Sequence, residues 1–104
     1  MLILAFDDSH GLKELETVLK GLLGDELQFR GFDSPRELLK AAEQHGYDLV
    51  FADTKYRNRS GLLLLEELSF RCPRTNYVAV AADVSESDAM TMHHLHGGYI
   101  IETV

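Results

Sequence analysis

The stretch YDLVFAD, residues 47–53, decides the fold, because it is a short apolar run that ends in an aspartate. The N-terminal stretch LILAFDD, residues 2–8, has the same pattern and ends in Asp7 and Asp8. Continuous apolar runs of this length are typical of strands that are covered on both faces, as in a parallel sheet. Both stretches therefore predict buried strands with acidic residues at their carboxyl ends.

The rest of the chain continues an alternation of strands and helices. Helices are predicted from apolar residues at three- and four-residue spacing, from Gly24 and Gly46 as end signals, and from Ser34-Pro35 as a start signal. Residues 54–60 carry three basic residues without apolar periodicity and predict a solvent-exposed loop. The predicted strands are residues 2–6, 26–32, 47–52, 76–82 and 99–102, and the predicted helices are residues 10–23, 36–45, 60–70 and 85–96.

Five strands that alternate with four helices predict an α/β fold with a doubly wound parallel sheet. Each right-handed crossover returns the chain to a strand parallel to an earlier one. A length of 104 residues accommodates one hydrophobic core, so we expect a single domain over residues 1–104.

The net charge, the apolar stretches and the cysteine content limit which partners and which cellular compartment the chain can have. The formal net charge of -7 disfavours direct binding to nucleic acid or to an anionic membrane surface. No apolar stretch approaches the roughly 20 residues of a membrane-spanning helix, and the N-terminus does not resemble a secretory leader. The single Cys72 has no partner for a disulfide within the chain. These features predict a cytoplasmic protein.

Acidic residues gather at the predicted strand ends. In open parallel sheets, ligands bind outside the carboxyl ends of the strands, near the point where the strand order reverses. If the first and third strands are neighbours, Asp7, Asp8 and Asp53 converge there, and hard carboxylate oxygens suit Mg²⁺. The alternative is that each aspartate only caps a helix or ends a strand.

These motifs carry a resemblance over the whole chain. The chain resembles response-regulator receiver domains, which are CheY-like, and the resemblance implies a flavodoxin-like strand order of 2-1-3-4-5. It also implies a fifth helix after the last strand, so we expect the chain to be truncated before that helix. The matching stretches are ILAFDD, YDLVFAD with Gly61 eight residues after its last aspartate, YVAVAAD, and GGYIIETV.

The resemblance assigns roles to individual residues. Asp53 corresponds to the aspartate that accepts a phosphoryl group from the histidine of a sensor kinase. Asp7, Asp8, Asp53 and the backbone carbonyl of Lys55 correspond to the ligands of Mg²⁺. The implied partner is a sensor histidine kinase or a phosphotransfer protein, and the domain is not expected to be an enzyme in its own right.

The chain departs from the family pattern at the switch positions. The family's hydroxyl residue is replaced by Ala81, its lysine by Glu102, and the proline that follows by Thr103, whereas Tyr99 matches the aromatic switch residue. One interpretation is a phosphorylated receiver with an unusual conformational output. A second is a degenerate pseudo-receiver that works as a phosphorylation-independent interaction module. A small metal-dependent phosphohydrolase is a third.

Other polar residues leave alternatives open. Lys55, Arg57 and Arg59 either screen the acidic pocket, meet an acidic partner, or belong to a solvated loop. His10 either reaches the pocket or is a surface histidine. The further histidines favour a helix end over a metal site, and the apolar residues beside them favour core packing over a contact surface. These two groups are His93, His94 and His96, and Met90, Met92 and Leu95.

The last predicted strand suggests a self-association surface. Without a fifth helix, one face of that strand exposes apolar side chains, and exposed apolar surface attracts a partner. This surface predicts a homodimer in which two chains contact each other through the exposed face of the last strand.

Overall fold

The structure is a computed structural model that describes residues 1–53, 56–71, 76–81 and 98–101. The strands are β1 (Leu2–Phe6), β2 (Gln28–Phe32), β3 (Leu49–Asp53), β4 (Asn76–Ala81) and β5 (Gly98–Ile101). The helices are α1 (Ser9–Leu23), α2 (Pro35–His45) and α3 (Tyr56–Arg71), and a short 3₁₀ turn, Gly24–Glu26, follows α1.

The strands form one five-stranded parallel sheet in the order β2-β1-β3-β4-β5. This arrangement confirms the predicted α/β fold and its 2-1-3-4-5 strand order. The order reverses between β1 and β3, where Ala5 lies opposite Phe51 and Phe6 lies opposite Ala52. The carboxyl ends of β1 and β3 are therefore adjacent, which is where a flavodoxin-like sheet binds its ligands.

The two faces of the sheet are covered by different helices. The α2/α3 face is packed by α2 and α3, and α1 lies on the opposite α1 face. The buried residues of the α2/α3 face are Leu4, Phe6, Leu38, Ala42, Val50, Ala52, Leu64, Leu65, Leu68, Tyr77 and Ala79. Those of the α1 face are Ile3, Ala5, Leu19, Phe51 and Val80. Both strands that lead to the acidic residues thus run through apolar core.

Local signals fix most of the helix ends. Ser34 is the N-cap of α2 and accepts a hydrogen bond from the Glu37 N–H, and Pro35 follows in the first turn. Gly24 and Gly46 end α1 and α2 with φ of 58° and 70°, in the left-handed region that favours glycine. The predicted helix boundaries at these residues are confirmed.

Three predicted boundaries were wrong, and one of them is the start of the third strand, which is Leu49 rather than residue 47. Residues 54–60 were predicted as a loop, but α3 already begins at Tyr56. The first turn of α3 is polar, so apolar periodicity could not reveal it, and it is fixed instead by the Asp53 carboxylate and by packing of Tyr56 on Phe6. The second strand begins at Gln28 rather than at residue 26, because the 3₁₀ turn includes Glu26 and is closed by a bond from the Leu27 N–H.

Several predictions fall outside the described residues and stay predictions. They include the helix at residues 85–96 with its histidines and methionines, and Cys72, Lys55, Glu102 and Thr103. The chain beyond Ile101 also lies outside the described part. Among the helices that the structure describes, none is both long enough and apolar enough to cross a bilayer.

Candidate functional site

The candidate site is built at the adjacent ends of β1 and β3. Asp7 follows β1 directly, and its N–H donates to the Phe32 carbonyl, which continues the pairing of β1 with β2. Asp53 is the last residue of β3 and lies opposite Val80 of β4. The parallel pairing of β1 with β3 therefore sets these two aspartates side by side at one edge of the sheet.

Asp7 is the central acid of the site. Its side chain is only 8% exposed, and the other buried residues of the described chain are apolar. The Asp7 Oδ1 accepts a hydrogen bond of 2.7 Å from the Asp8 N–H. A side-chain hydrogen bond also joins Asp7 to Asp53. A second carboxyl group this close makes Asp7 easier to protonate, because two carboxylates in contact repel each other.

The environment of Asp7 opposes its ionisation. Burial raises the pKa of Asp7 from 3.8 to about 7. The hydrogen bond from the Asp8 backbone lowers this pKa, whereas the charge of Asp53, the hydrogen bond to it, and the charge of Asp8 all raise it. The negative charge around Asp7 thus favours a cation or a proton there.

Asp8 has a different role in the described structure. Its Oδ1 accepts a hydrogen bond of 2.7 Å from the Gly11 N–H, so Asp8 is the N-cap of α1. The capping role that the sequence left open is therefore present for Asp8. Its carboxylate nevertheless lies near enough to Asp7 to raise the Asp7 pKa, and it still adds negative charge to the site.

Asp53 connects the site to α3. Its Oδ1 accepts a hydrogen bond of 3.2 Å from the Tyr56 N–H at the start of the helix. The Tyr56 ring packs against Phe6 of β1, with 5.2 Å between ring centroids. The Asp53 carboxylate is therefore tied directly to the first turn of α3.

Gly11 is a site residue that the sequence analysis missed. A Cβ atom at Gly11 would overlap the carboxyl group of Asp7, so a side chain there would displace it. Gly11 lies in the first turn of α1, where a glycine has no role in ending a helix. A glycine at the start of a helix, three residues after an aspartate cap, was the available signal.

A cleft opens beside the site at the carboxyl end of β2. It has a volume of about 500 Å³. Its walls come from the starts of α1, α2 and α3 and the end of β2, and they are Asp8, Ser9, Leu12, Gly31, Phe32, Asp33, Glu37 and Tyr56. The three acidic side chains in this lining make the cleft electronegative.

The donor set suits Mg²⁺ in its chemistry. In the part of the chain that the structure describes, no three His, Cys, Asp or Glu side chains are arranged as a metal-binding group. Mg²⁺ commonly uses only one or two carboxylates and keeps several waters. Asp7 and Asp53 supply two neighbouring carboxyl groups. Burial is the main cause of the raised pKa of Asp7, and the charges of Asp53 and Asp8, which raise it further, are ones that a cation would neutralise.

The other predicted site residues are placed only in part. Ala81 ends β4 and pairs with Ile101 of β5, and Tyr99 pairs with Ala79. The two switch positions are thus located by their backbones on neighbouring strands, whereas Lys55 and Glu102 lie outside the described residues. His10 is an exposed residue whose Nε2 lies 2.9 Å from the Glu14 Oε1, which fits the surface interpretation.

Comparisons with known proteins bear on the fold. No protein-family model matches the chain, and no curated protein sequence matches it. Among solved structures, a response regulator receiver protein from Pseudoalteromonas atlantica has a TM-score of 0.83 at 15% identity, over 98% of this chain and 84% of that chain.

Two further structures extend this likeness. A response regulator receiver domain (CheY-like) from Methylobacillus flagellatus has a TM-score of 0.74 at 25% identity, over 100% of this chain and 87% of that one. The response regulator protein TrrA from Thermotoga maritima has a TM-score of 0.75 at 23% identity, over 98% and 86%. The chain therefore has the CheY-like fold of response-regulator receiver domains.

Proposed function

We propose that this chain is the receiver domain of a two-component phosphorelay and that Asp53 accepts the phosphoryl group. The observation that carries the proposal is the contact between Asp53 and the buried Asp7 at adjacent strand ends. A carboxyl pair in this position weakens the core of the domain, because a buried charge is costly without compensation. Such a pair is expected where it performs chemistry.

The proposed transfer is a displacement at phosphorus. A carboxylate oxygen of Asp53 forms a new O–P bond while the P–N bond to the donor histidine breaks. The electron pair of that bond leaves with the imidazole, which takes up a proton, and no oxidation or reduction occurs. Positioning and electrostatics supply most of the catalysis in such transfers.

Residues around Asp53 have separate parts in this step. The Tyr56 N–H holds one oxygen of Asp53 through its 3.2 Å hydrogen bond and so orients the carboxylate. Asp7, Asp8 and Asp53, with the backbone carbonyl of Lys55, are the proposed ligands of Mg²⁺. When bound, Mg²⁺ supplies positive charge that offsets the charge on the transferring oxygens.

The structural neighbours support this proposal by analogy. The TrrA structure is a complex with Mg(2+)-BeF. A further structure is of histidine kinase ThkA in complex with TrrA. For this chain we infer a sensor histidine kinase or a phosphotransfer protein as partner, in the cytoplasm. We infer no turnover beyond the loss of its own phosphoryl group.

A degenerate pseudo-receiver is the second candidate, and the residues at the switch positions favour it. Ala81 has no hydroxyl to bind a phosphoryl oxygen, and Glu102 is an anion where the family has a cation. In that case the domain binds its partner without phosphorylation, and the Asp7–Asp53 pair is a remnant of the earlier site.

Intact-mass spectrometry with acetyl phosphate and Mg²⁺ distinguishes the candidates. The proposal predicts a single phosphoryl adduct on the native chain and none on Asp53→Asn, with Asp48→Asn as the control. Asp48 accepts a hydrogen bond from the Leu2 N–H at the opposite end of the sheet, so that variant should keep the adduct. A chain without adduct at any Mg²⁺ concentration favours the pseudo-receiver, and continuous phosphate release over many turnovers favours a phosphohydrolase.

A further inference from the structure

We propose that Arg57 is the side chain that binds the phosphoryl group on Asp53, and that it leaves Asp33 to do so. This inference rests on the proposed function, since it concerns the phosphorylated form of Asp53. It adds a residue-specific route by which phosphorylation changes the surface between β2 and α2.

Phosphorylation would add negative charge to a site that is already acidic. Asp7 and Asp8 already lie close to one another, and Asp7 is in contact with Asp53. A phosphoryl group adds a charge of about -1.5 to -2 at neutral pH, together with strong acceptor oxygens. An arginine is well suited to such a group, because its planar guanidinium donates two parallel hydrogen bonds.

Arg57 lies in the first turn of α3, four residues after Asp53. The bond from the Tyr56 N–H to Asp53 ties this turn to the acid site. Arg57 has φ of 53°, in the left-handed region, and is the non-glycine residue of the described chain with this conformation. That conformation is unfavourable for a side chain with a Cβ, and such strain is concentrated at functional sites.

Arg57 contacts both Tyr56 and Asp33. Its Cζ lies 5.6 Å from the centre of the Tyr56 ring. Its Nη2 lies 3.9 Å from the Asp33 Oδ2, and the two side chains are 53% and 70% exposed. An ion pair at this distance and exposure is weakened by solvent, so little is lost when it separates.

The cleft beside the site adjoins both residues that Arg57 now contacts. Tyr56, on which Arg57 stacks, lines one wall, and Asp33 and Asp8 line others. The guanidinium is thus near both the Tyr56 ring and the Asp33 carboxylate. A doubly charged phosphoryl group on Asp53 would compete with the single charge of Asp33 for the same cation.

The exchange would alter the surface at the start of α2. Asp33 directly precedes Ser34, the N-cap of α2. Once Arg57 has moved, the Asp33 carboxylate loses its counter-charge, and the cleft wall formed by Asp33 and Glu37 becomes more negative. The β2–α2 side of the domain thereby distinguishes the phosphorylated from the unphosphorylated state, and a basic partner surface would bind it in the phosphorylated state.

Binding of beryllofluoride, a stand-in for the phosphoryl group, tests the exchange. Its affinity for the chain is measured with saturating Mg²⁺ by ¹⁹F NMR. We expect Arg57→Gln to weaken binding about tenfold, which corresponds to about 1.4 kcal/mol, and Arg57→Lys to recover part of this loss. Asp33→Asn should instead tighten binding about threefold, because it removes the competing anion.

A second readout follows the arginine itself. The ¹H–¹⁵N signal of the Arg57 Nε, assigned by its absence from Arg57→Lys, should shift when beryllofluoride binds the native chain. This shift and the Asp33→Asn affinity decide the matter even if Arg57→Gln does not fold. A merely structural Arg57–Asp33 contact would make both variants weaker binders, which would overturn the inference.

The outcomes separate the two proposals. If the native chain forms neither a phosphoryl adduct nor a beryllofluoride complex, the proposed function fails and this inference fails with it. If the native chain forms both, but Arg57→Gln binds beryllofluoride as well as the native chain does and the Arg57 signal does not shift, only the role of Arg57 is overturned.

Discussion

The interiors of β1 and β3 differ sharply from the carboxyl ends of the same strands. In the interiors, Leu4 and Val50 are at most 1% exposed and lie within continuous apolar packing. At the ends, Asp7 is nearly as well buried, but it is an acid in contact with another acid. One pair of strands therefore builds both the most favourable and the least favourable burial that the described structure contains.

This difference indicates how stability is divided in the molecule. Apolar burial in the strand interiors stabilises the fold, whereas burial of Asp7 reduces that stability at neutral pH. Removing an apolar side chain from the strand interiors should consequently lower the free energy of unfolding, whereas removing the charge of Asp7 should raise it. Residues retained at a cost to stability are typical of functional sites, since activity and stability often conflict.

The largest effect is expected from a cavity in the α2/α3 face. Leu68 of α3 is 0% exposed, so Leu68→Ala should lower the free energy of unfolding by about 4 kcal/mol. Leu63 on the same helix is 61% exposed, and Leu63→Ala should change it by less than about 0.5 kcal/mol. Urea denaturation measures both. Equal losses in the two variants would contradict the assignment of the core.

An increase in the free energy of unfolding is expected from a substitution at Asp7. Because burial raises the pKa of Asp7 to about 7, the folded state holds this proton more tightly than the unfolded state does. Stability contributed by the protonated form is complete below pH 3.8 and is lost as the pH rises to about 7. Asp7→Asn should therefore stabilise the metal-free chain at pH 8, on the order of 3 kcal/mol.

The same variant supplies its own control. At pH 3.5 Asp7 is protonated in both states, so Asp7→Asn should have little effect there. An Asn also keeps an oxygen for the Asp8 N–H and gains an amide donor towards Asp53. Urea denaturation between pH 3.5 and 8 measures the difference. A variant that is less stable than the native chain at pH 8 would contradict the interpretation that the buried Asp7 carboxylate destabilises the fold.

Gly11 tests how tightly the Asp7 carboxyl is enclosed. Gly11→Ala should lower the free energy of unfolding by about 1–2 kcal/mol, because its methyl group displaces a buried side chain. Gly21 lies on the same helix with nothing near its Cβ position, so Gly21→Ala should raise it by up to about 1 kcal/mol through helix propensity. Thermal unfolding compares them, and a stabilised Gly11→Ala would be the contrary result.

The smallest effect is expected from the metal. Mg²⁺ at about ten times its dissociation constant should stabilise the native chain by about 1.4 kcal/mol at pH 8. The gain should vanish in Asp7→Asn and in Asp53→Asn, which each lack one of the two carboxylates. Thermal unfolding with Ca²⁺-free Mg²⁺ solutions measures it. A gain of equal size in all three chains would indicate only non-specific binding.

Local residue patterns predicted the strands, their order through the family resemblance, and the helix ends at Gly24, Gly46 and Ser34. Each of these features depends on neighbours in the chain or on an apolar run. The start of α3 at Tyr56 could not be predicted in this way. It depends on Phe6 and Asp53, of which Phe6 is distant in sequence, and the first turn itself has no apolar period.

The sequence predicted where the candidate site lies, but it did not predict how each aspartate is arranged there. The pattern of strand ends located Asp7, Asp8 and Asp53 correctly at one edge. It could not say that Asp7 turns inward while Asp8 caps α1, because adjacent residues after a strand differ only in their final turn. The need for a glycine at position 11 follows from the same turn.

The proposed site depends most on the burial of Asp7 beside Asp53, and the titration of Asp7 tests this arrangement most directly. The ¹³C signal of the Asp7 carboxyl carbon is followed against pH in Mg²⁺-free solution. We expect a midpoint near pH 7, which falls in Asp53→Asn but stays above 3.8 because burial is the largest cause of the shift. A midpoint near 3.8 in the native chain would mean that Asp7 ionises freely, and it would contradict the account.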